Sequence, residues 1–314
     1  MPELPETETI ARDLDRRLAG ARIKAAEVTR PDVLRLVDAM ELARRVAGAT
    51  VDRAWRRAKL VVLDLSTGDR IVVQPRFTGA LLLDEGPSRA VADAADAADA
   101  ADAGDATDST DSTDSSDATD APARSSLPDE ELRYSTMRLQ LDDGRALHYR
   151  DIRRLGTVAL MSPAQFERYA GALGVEPLDS AFTAPHLSAL LRGSRQAIKK
   201  VLMDQRRLAG VGNIYANEAL WRARIDPSRE ARTLSVEDAA SLRDELVAVL
   251  REAIEARGTS FRDYRDSSGE RGGFAERLSV YGRAGEPCPR CGARLIGTHA
   301  VDGRTTVFCA RCQR

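Results

Sequence analysis

All four cysteines lie in the last 27 residues, as Cys288-Pro-Arg-Cys291 and Cys309-Ala-Arg-Cys312 with seventeen residues between the pairs. Two such pairs fit one tetrahedral zinc ion held by four thiolates. Four thiolates leave no open coordination position, so the Zn2+ is expected to be structural. In a chain expected to be cytosolic, this pattern argues for a metal and against disulfides. The tail is therefore expected to fold as a small finger. Between the pairs, Val301-Asp302-Gly303-Arg304 reads as a hairpin turn with Arg304 at its tip. Taken alone, that arginine is a solvated turn residue. A zinc ribbon is also a common module for binding DNA or protein, so by itself it does not imply an enzyme.

The other 287 residues are too many for one finger to organise, and the total of 314 predicts two domains plus a small third. A hydrophobic fraction of 43% is enough for sizeable cores. No apolar run approaches the ~18 residues of a membrane span. The start of the chain lacks the basic-then-apolar layout of a signal peptide. The expected location is cytoplasmic.

The net charge of −2 conceals an asymmetry. Segment 86–128 contains ten Asp and two Arg, with no Lys or Glu, for a net of −8. The remaining chain therefore carries +6 (−2 minus −8). That balance suits a polyanionic partner, although solvated surface arginines would give it too. Within the segment, Asp recurs at every third position from 93 to 120 among Ala, Ser, Thr and one Gly. Such a stretch cannot bury apolar surface and is expected to be disordered. It reads as a tolerated solvated insert, or else as an acidic segment competing with DNA for the basic face.

The chain opens Met1-Pro2-Glu3-Leu4-Pro5-Glu6. Initiator Met is usually removed before a small residue, which would leave Pro2 with a free secondary amine. An α-amino group has a reference pKa of about 7.7–8.0, so a sizeable neutral fraction exists near neutrality. Such an amine can form an iminium with a carbonyl or sugar carbon. Glu3 and Glu6 set carboxylates beside it. Residues 5–19 read as an amphipathic helix through Ile10, Leu14 and Leu18, with Gly20 as the stop. Its positive end would lie near Pro2 and disfavour the protonated amine.

Short strands follow at 21–29, 50–57, 59–65, 70–74 and 79–84, then at 132–141, 145–150 and 156–161 beyond the insert. Turn-linked short strands predict an antiparallel sandwich or barrel over 1–162. From Pro163 the pattern is helical, at 163–172, 185–192, 194–204, 213–223 and 236–257. Ser235 and Asp238 predict a capped start for the last of these. Between two helices, Ala209-Gly210-Val211-Gly212-Asn213 reads as a tight turn. Asn213 is expected to cap the next helix, whose free N–H groups would suit a phosphate. A plain packing turn reads equally well from this loop alone.

Together these pieces resemble one family, the formamidopyrimidine-DNA glycosylases and their relatives the endonuclease VIII enzymes. The carrying motifs are Met1-Pro2-Glu3-Leu4-Pro5-Glu6, Arg56-Arg57-Ala58-Lys59, Asp151-Ile-Arg153-Arg154-Leu155-Gly156 and Ile198-Lys199. To these add Leu202-Met203-Asp204-Gln205, Gly210-Val-Gly-Asn213-Ile214-Tyr215-Ala216 and Val280-Tyr281-Gly282-Arg283, which leads into the four-Cys finger. The resemblance covers nearly the whole chain except the insert. It implies an α+β multidomain fold. An N-terminal antiparallel β-sandwich with flanking helices (1–162) would precede a helix-two-turn-helix domain (163–272) and a zinc finger (273–314), with DNA in the cleft between. It implies excision of 8-oxoguanine and ring-opened purines from damaged double-stranded DNA, followed by strand cleavage, by a monomer that associates with the nucleoid and no membrane.

On this resemblance Pro2 would be the nucleophile and Glu3 the proton donor. Lys59 would sit near the lesion, and Lys199, Asn213 and Arg304 would grip phosphates. Lys199 in isolation reads as a helix-surface charge. Phe77, Arg153 and Leu155 would fill the space left by the flipped base, with Arg153 reading the orphaned cytosine. Phe77 and Leu155 depart from the family's usual Met and Phe, and both also suit a hydrophobic core. Ile152 replaces a usual Pro. The loop from about Phe261 to Phe274 would cover the flipped base, with Glu270 where Lys is common. These departures leave two alternatives: the same chemistry on oxidised pyrimidines or abasic sites, or a non-catalytic binder of damaged DNA.

Overall fold

The structure is a computed structural model, and it describes residues 2–86, 126–260 and 264–314. The Asp repeat at 93–120 lies outside the described residues.

Helix α1 (Leu4–Leu18) starts at Glu3, whose N–H donates to Glu6 Oε2 at 2.8 Å. Pro5 is accommodated in the first turn, where its missing N–H costs nothing. Ile10, Leu14 and Leu18 form one buried stripe of the helix. Among the described residues, nine strands then build two sheets. β1 (Ile23–Val28), β7 (Ser135–Leu141), β8 (Ala146–Asp151) and β6 (Gly79–Asp84) form one, in that order and antiparallel throughout. The other runs β2 (Leu34–Arg35), β9 (Thr157–Met161), β5 (Arg70–Gln74), β4 (Leu60–Leu65) and β3 (Val51–Arg57). Its β2–β9 pair is parallel, and the rest are antiparallel.

Strand β4 explains why the second sheet is covered on both sides. Side chains alternate across a strand. Val61, Leu63 and Leu65 enter the main core with Ile71, Val73, Leu81, Leu139 and Leu147. Leu60 and Val62 face the other way and meet Val72, Met161 and Phe166. Phe166 comes from helix α4 (Pro163–Gly171), which begins in a Ser162/Gln165 capping box. This double coverage makes β4 read as an unbroken apolar run.

Strand β2 and helix α2 (Ala39–Val46) went unread in the sequence. The signal for α2 was present. Asp38 accepts from Glu41 N–H at 2.8 Å, and Leu42 and Val46 sit four apart on the buried side. The strand expected at 132–141 starts only at Ser135, because the short helix α3 (Asp129–Leu132) precedes it.

The helical part comprises α5 (Ala184–Arg192), α6 (Ile198–Met203), α7 (Asn213–Arg222) and α8 (Val236–Glu255) around a second core that includes Tyr215, Leu220, Leu246 and Phe274. The Ser235/Asp238 capping box forms as expected. Helix α6 is shorter than the expected 194–204, because Ala197 pairs with Glu230 in extended conformation instead of entering a helix. Leu4 from the first turn of α1 belongs to this second core. The opening stretch thus joins sandwich to helices. The finger carries the hairpin β10 (Ile296–Thr298) and β11 (Thr306–Phe308).

Candidate active site

The turn between α6 and α7 is built to receive Glu3. Leu4 N–H donates to Gly210 O at 3.0 Å. Ile214 N–H, at the start of α7, donates to Glu3 Oε1 at 3.1 Å. Glu3 is 2% exposed, and its Oε2 has no hydrogen-bond partner among the described residues. A Cβ on Gly212 would lie 2.2 Å from Glu3 Cδ, so glycine there makes room for the carboxylate. Gly210 adopts φ +86°, a left-handed conformation that glycine tolerates. Gln205 holds the turn from inside: its Nε2 donates to Val211 O and its Oε1 accepts from Gly210 N–H, both at 2.8 Å.

Glu6 lies behind Glu3 and is fully buried. It accepts from Glu3 N–H, from Thr259 N–H at 2.8 Å and from Tyr215 O–H at 2.5 Å. Burial, then the charge of Glu3, push its carboxyl above the ordinary range, against the pull of these three donors.

Pro2 faces a cavity of about 250 Å3 whose wall also includes Lys59, Gln74, Arg76, Phe77, Met203, Gln205 and Arg304. Lys59 follows the β3–β4 turn, where Ala58 takes φ +53°. The turn is fastened from outside by Glu176, which binds Arg56 at 2.6 Å, Arg57 at 2.7 Å and Ala58 N–H at 2.7 Å. The two arginines thus brace the turn. Lys59 is 8% exposed, and burial lowers its ammonium below the usual lysine range. Glu3 opposes that shift, while Arg304 reinforces it. Removing the Arg304 charge should therefore raise the Lys59 pKa. The sequence contains four lysines (24, 59, 199 and 200), so 13Cε-lysine NMR across a pH titration resolves this one. We expect an upward shift in Arg304→Gln; an unchanged midpoint would place Arg304 too far away to act on it.

Of the void-filling candidates, Phe77 lines the cavity. Phe77 takes φ +45° and is 44% exposed, and Leu155 is 42% exposed. Neither is a core residue, so that alternative falls. The Arg153 guanidinium stacks 5.1 Å from the Phe77 ring centre. The loop carrying Arg153 and Leu155 is held by Asp151 together with Thr78 and Tyr149, two residues that the sequence did not single out. Thr78 Oγ1 donates to Asp151 Oδ1 at 2.6 Å and accepts from Arg153 N–H at 3.0 Å. Asp151 Oδ2 accepts from Gly156 N–H at 2.8 Å and from Tyr149 O–H at 3.3 Å. The Asp151 motif carried the signal, but Thr78 lies far from it in sequence, just ahead of β6.

Two expectations need correction. Asn213 does not cap α7: it is the first helical residue, after Gly212, and its Nδ2 donates to Thr305 O of the finger at 3.0 Å. Lys199 is not a surface charge. It is 0% exposed, with its ammonium bonded inside the protein. Burial lowers its pKa, and Asp302 opposes the shift.

Of the loop expected over a flipped base, residues 261–263 lie outside the described residues. Tyr264 O–H donates to Glu6 O at 3.4 Å, and Ser267 O accepts from Leu83 N–H at 2.9 Å. Asp266 binds Arg257 and the N–H groups of Ser268 and Glu270. These contacts fasten 264–270 to the sandwich, and no described residue of 261–274 lines the Pro2 cavity.

The sulfurs of Cys288, Cys291, Cys309 and Cys312 all lie within 4.8 Å of one another. A tetrahedral zinc with bonds of about 2.3 Å needs sulfurs about 3.8 Å apart, so the set fits a single structural zinc. The finger is fixed to α7: Glu218 accepts from the N–H groups of Ser279, Val280 and Tyr281 at 2.8–2.9 Å, and Asn217 Oδ1 accepts from Val307 N–H at 2.7 Å. Chelating the metal should unfold the finger and release Arg304 from the cavity. We expect DNA affinity to fall at least about tenfold, with the sandwich still folded by circular dichroism. Unchanged affinity after complete zinc loss would contradict this.

Comparison with known proteins agrees with this arrangement. Residues 1–158 match the formamidopyrimidine-DNA glycosylase N-terminal domain, 173–265 its H2TH domain, and 285–314 the zinc finger found in FPG and IleRS. The chain is 38% identical to a formamidopyrimidine-DNA glycosylase of Roseiflexus sp. over 317 residues, covering 100% of both. A Lactococcus lactis FPG (MutM) solved with Fapy-dG-containing DNA is 29% identical, with TM-score 0.78 over 99% of this chain and 100% of that one. The MutM (FPG) protein of Thermus thermophilus is 32% identical, with TM-score 0.77 over 99% and 98%. These likenesses put the chain among the DNA glycosylases of base excision repair that join a sandwich to a helix-two-turn-helix domain. Within that class it belongs to the formamidopyrimidine-DNA glycosylase family. No helix among the described residues is long and apolar enough to cross a membrane.

Proposed function

We propose that the protein excises oxidised purines, 8-oxoguanine and formamidopyrimidines, from duplex DNA through a Schiff base at Pro2, and then cuts the strand on both sides of the sugar. The observation that carries this reading is one cavity walled by Pro2, Lys59 and Arg304, with Glu3 buried behind it. A base inside a duplex is out of reach at its sugar carbon, so it must first be flipped out. Phe77 and Leu155 are exposed wedges suited to hold that gap open, and Arg153 to read the cytosine left behind.

With Met1 removed, the Pro2 nitrogen pair attacks C1′, and the base leaves with the electrons of its glycosidic bond. Pro2 gives up its N–H proton, and the departing base gains one. Glu3 protonates the ring oxygen O4′, the C1′–O4′ bond breaks, and the iminium forms. Loss of a C2′ proton then expels the 3′ phosphate by cleavage of C3′–O3′. Loss of a C4′ proton expels the 5′ phosphate by cleavage of C5′–O5′. Water hydrolyses the iminium and frees Pro2. Arg304 neutralises the phosphate departing in the last elimination, and Asn213 and Lys59 serve the strand and lesion at the same cavity. Phosphate contacts of this kind position the DNA and carry little sequence information.

We assign the working units to 1–162, 163–272 and 273–314, acting as a cytoplasmic monomer on damaged double-stranded DNA. The test is borohydride trapping over duplexes bearing 8-oxoguanine, formamidopyrimidine, thymine glycol or an abasic site. Among the three damaged bases the reading predicts the fastest trapping on the two oxidised purines, while the abasic duplex, whose sugar needs no base removal, reports the lyase step alone. Preference for thymine glycol would move the enzyme to oxidised pyrimidines, and binding with no trapping on any duplex would make it a non-catalytic binder.

A further inference from the structure

The two buried charges Lys199 and Asp302 have a task that their burial itself suggests. An ammonium has three donors. Those of Lys199 reach Thr306 Oγ1 at 2.7 Å, Asp302 Oδ1 at 3.3 Å and Thr305 O at 3.3 Å. All three acceptors belong to the finger hairpin, and the Lys199 side chain is 0% exposed. The same Asp302 Oδ1 accepts from Arg304 N–H at 3.0 Å. Asn213 adds a second bond to Thr305 O. Gly303, at φ +76°, sharpens the turn between. From Asp302 to Thr306 the turn is thus tied to α6 and α7, and only the Arg304 side chain reaches the Pro2 cavity.

We infer that Lys199 is a positioning residue: paired with Asp302, it fixes the turn that presents Arg304, and it does not itself take a DNA phosphate. Turning the ammonium towards a phosphate would strip Asp302 of its charge partner while its side chain is 8% exposed, and an unpaired buried carboxylate is strongly unfavourable. Asp302 therefore serves two bonds at once. One neutralises Lys199, and the other sets the backbone from which Arg304 projects. A small misplacement of a group acting on a leaving phosphate costs rate steeply. The inference rests on the Schiff-base reading above, and it predicts which step suffers: the second elimination, where Arg304 acts, and not the capture of the sugar by Pro2.

The test uses the full-length, zinc-loaded protein on an 8-oxoguanine:cytosine duplex, with Lys199→Met, Asp302→Ala and Asp302→Asn. Three quantities are read: the salt dependence of binding, borohydride trapping, and the ratio of double to single elimination products. In Lys199→Met we expect trapping within about threefold of the parent and a product ratio reduced at least about tenfold. The slope of log K against log salt should stay within about 0.3 of the parent, because no phosphate contact is lost. Asp302→Ala should shift the products in the same way, and Asp302→Asn, which keeps the acceptor, should restore most of the double elimination. If Lys199→Met fails to fold, the two Asp302 variants decide the question. A slope reduced by about 0.9 in Lys199→Met with parental products would mark a direct phosphate contact and overturn the inference. So would tighter DNA binding with parental products in Asp302→Ala, which would make Asp302 a competitor for Lys199. Failure of the parent itself to trap DNA would overturn the Schiff-base reading, and this inference with it.

Discussion

Protein that keeps Met1, or carries any residue ahead of Pro2, should lose base excision by at least about three orders of magnitude, the scale expected when a covalent nucleophile is removed. The reason is local. An acylated proline nitrogen has no free electron pair, and Pro2 is the residue of the opening stretch that faces the cavity. Folding should not suffer, because Leu4 and Glu6 supply the buried contacts of this stretch. Single-turnover excision of 8-oxoguanine measures the loss, and thermal melting checks the fold. Excision at the parental rate from a protein shown by mass to retain Met1 would rule out the Pro2 amine. Pro2→Gly is a milder case, since it keeps a terminal amine and alters its basicity and placement.

The second large effect concerns Gly212. Its φ of −132° suits any residue, so alanine there brings no backbone strain. The obstacle is space: the new Cβ would lie 2.2–2.6 Å from the Glu3 carboxylate carbon and oxygens. Two outcomes compete. Either the backbone yields, or the end of the Glu3 side chain swings away. The carboxylate is held by one hydrogen bond, to Ile214 N–H, whereas the turn backbone is held by Gln205 and by Leu4 N–H. The side chain should move first. Gly212→Ala is therefore expected to cost only about 1–3 kcal/mol of stability. Excision should nonetheless fall at least about a hundredfold, because the proton donor no longer meets O4′. Parental excision in a folded Gly212→Ala would show that the position of Glu3 is not critical. Gly210→Ala should destabilise more, since it combines a clash with Leu4 and a left-handed φ.

These predictions draw on features that the sequence revealed unevenly. The strands were legible because their apolar residues alternate, and β4 because it is apolar on both faces. Helix α2 was missed although Asp38, Leu42 and Val46 announced it, since eight residues give a weak period. The four cysteines and the Pro2–Glu3 pair stood out because their chemistry is written in neighbouring residues. The rest of the site is not written that way. Lys199 reads as a surface charge until the finger, about a hundred residues later, folds over it. Asn213 has the composition of a cap, yet the finger claims its amide. Glu218 looks like an ordinary helix residue, but it receives three backbone N–H groups from the approach to the finger. Thr78 shapes the wedge loop through Asp151, which lies on β8 more than seventy residues later. In each case the decisive partner lies on another element, and no local period encodes it.

The central claim is that the Pro2 amine forms the covalent bond to the sugar. The most direct test is borohydride reduction during 8-oxoguanine excision, followed by proteolysis and mass mapping of the adduct. The account predicts a single modified peptide, beginning at Pro2 and carrying the reduced sugar remnant on its terminal nitrogen. An adduct on Lys59, the lysine that shares the cavity, would contradict it.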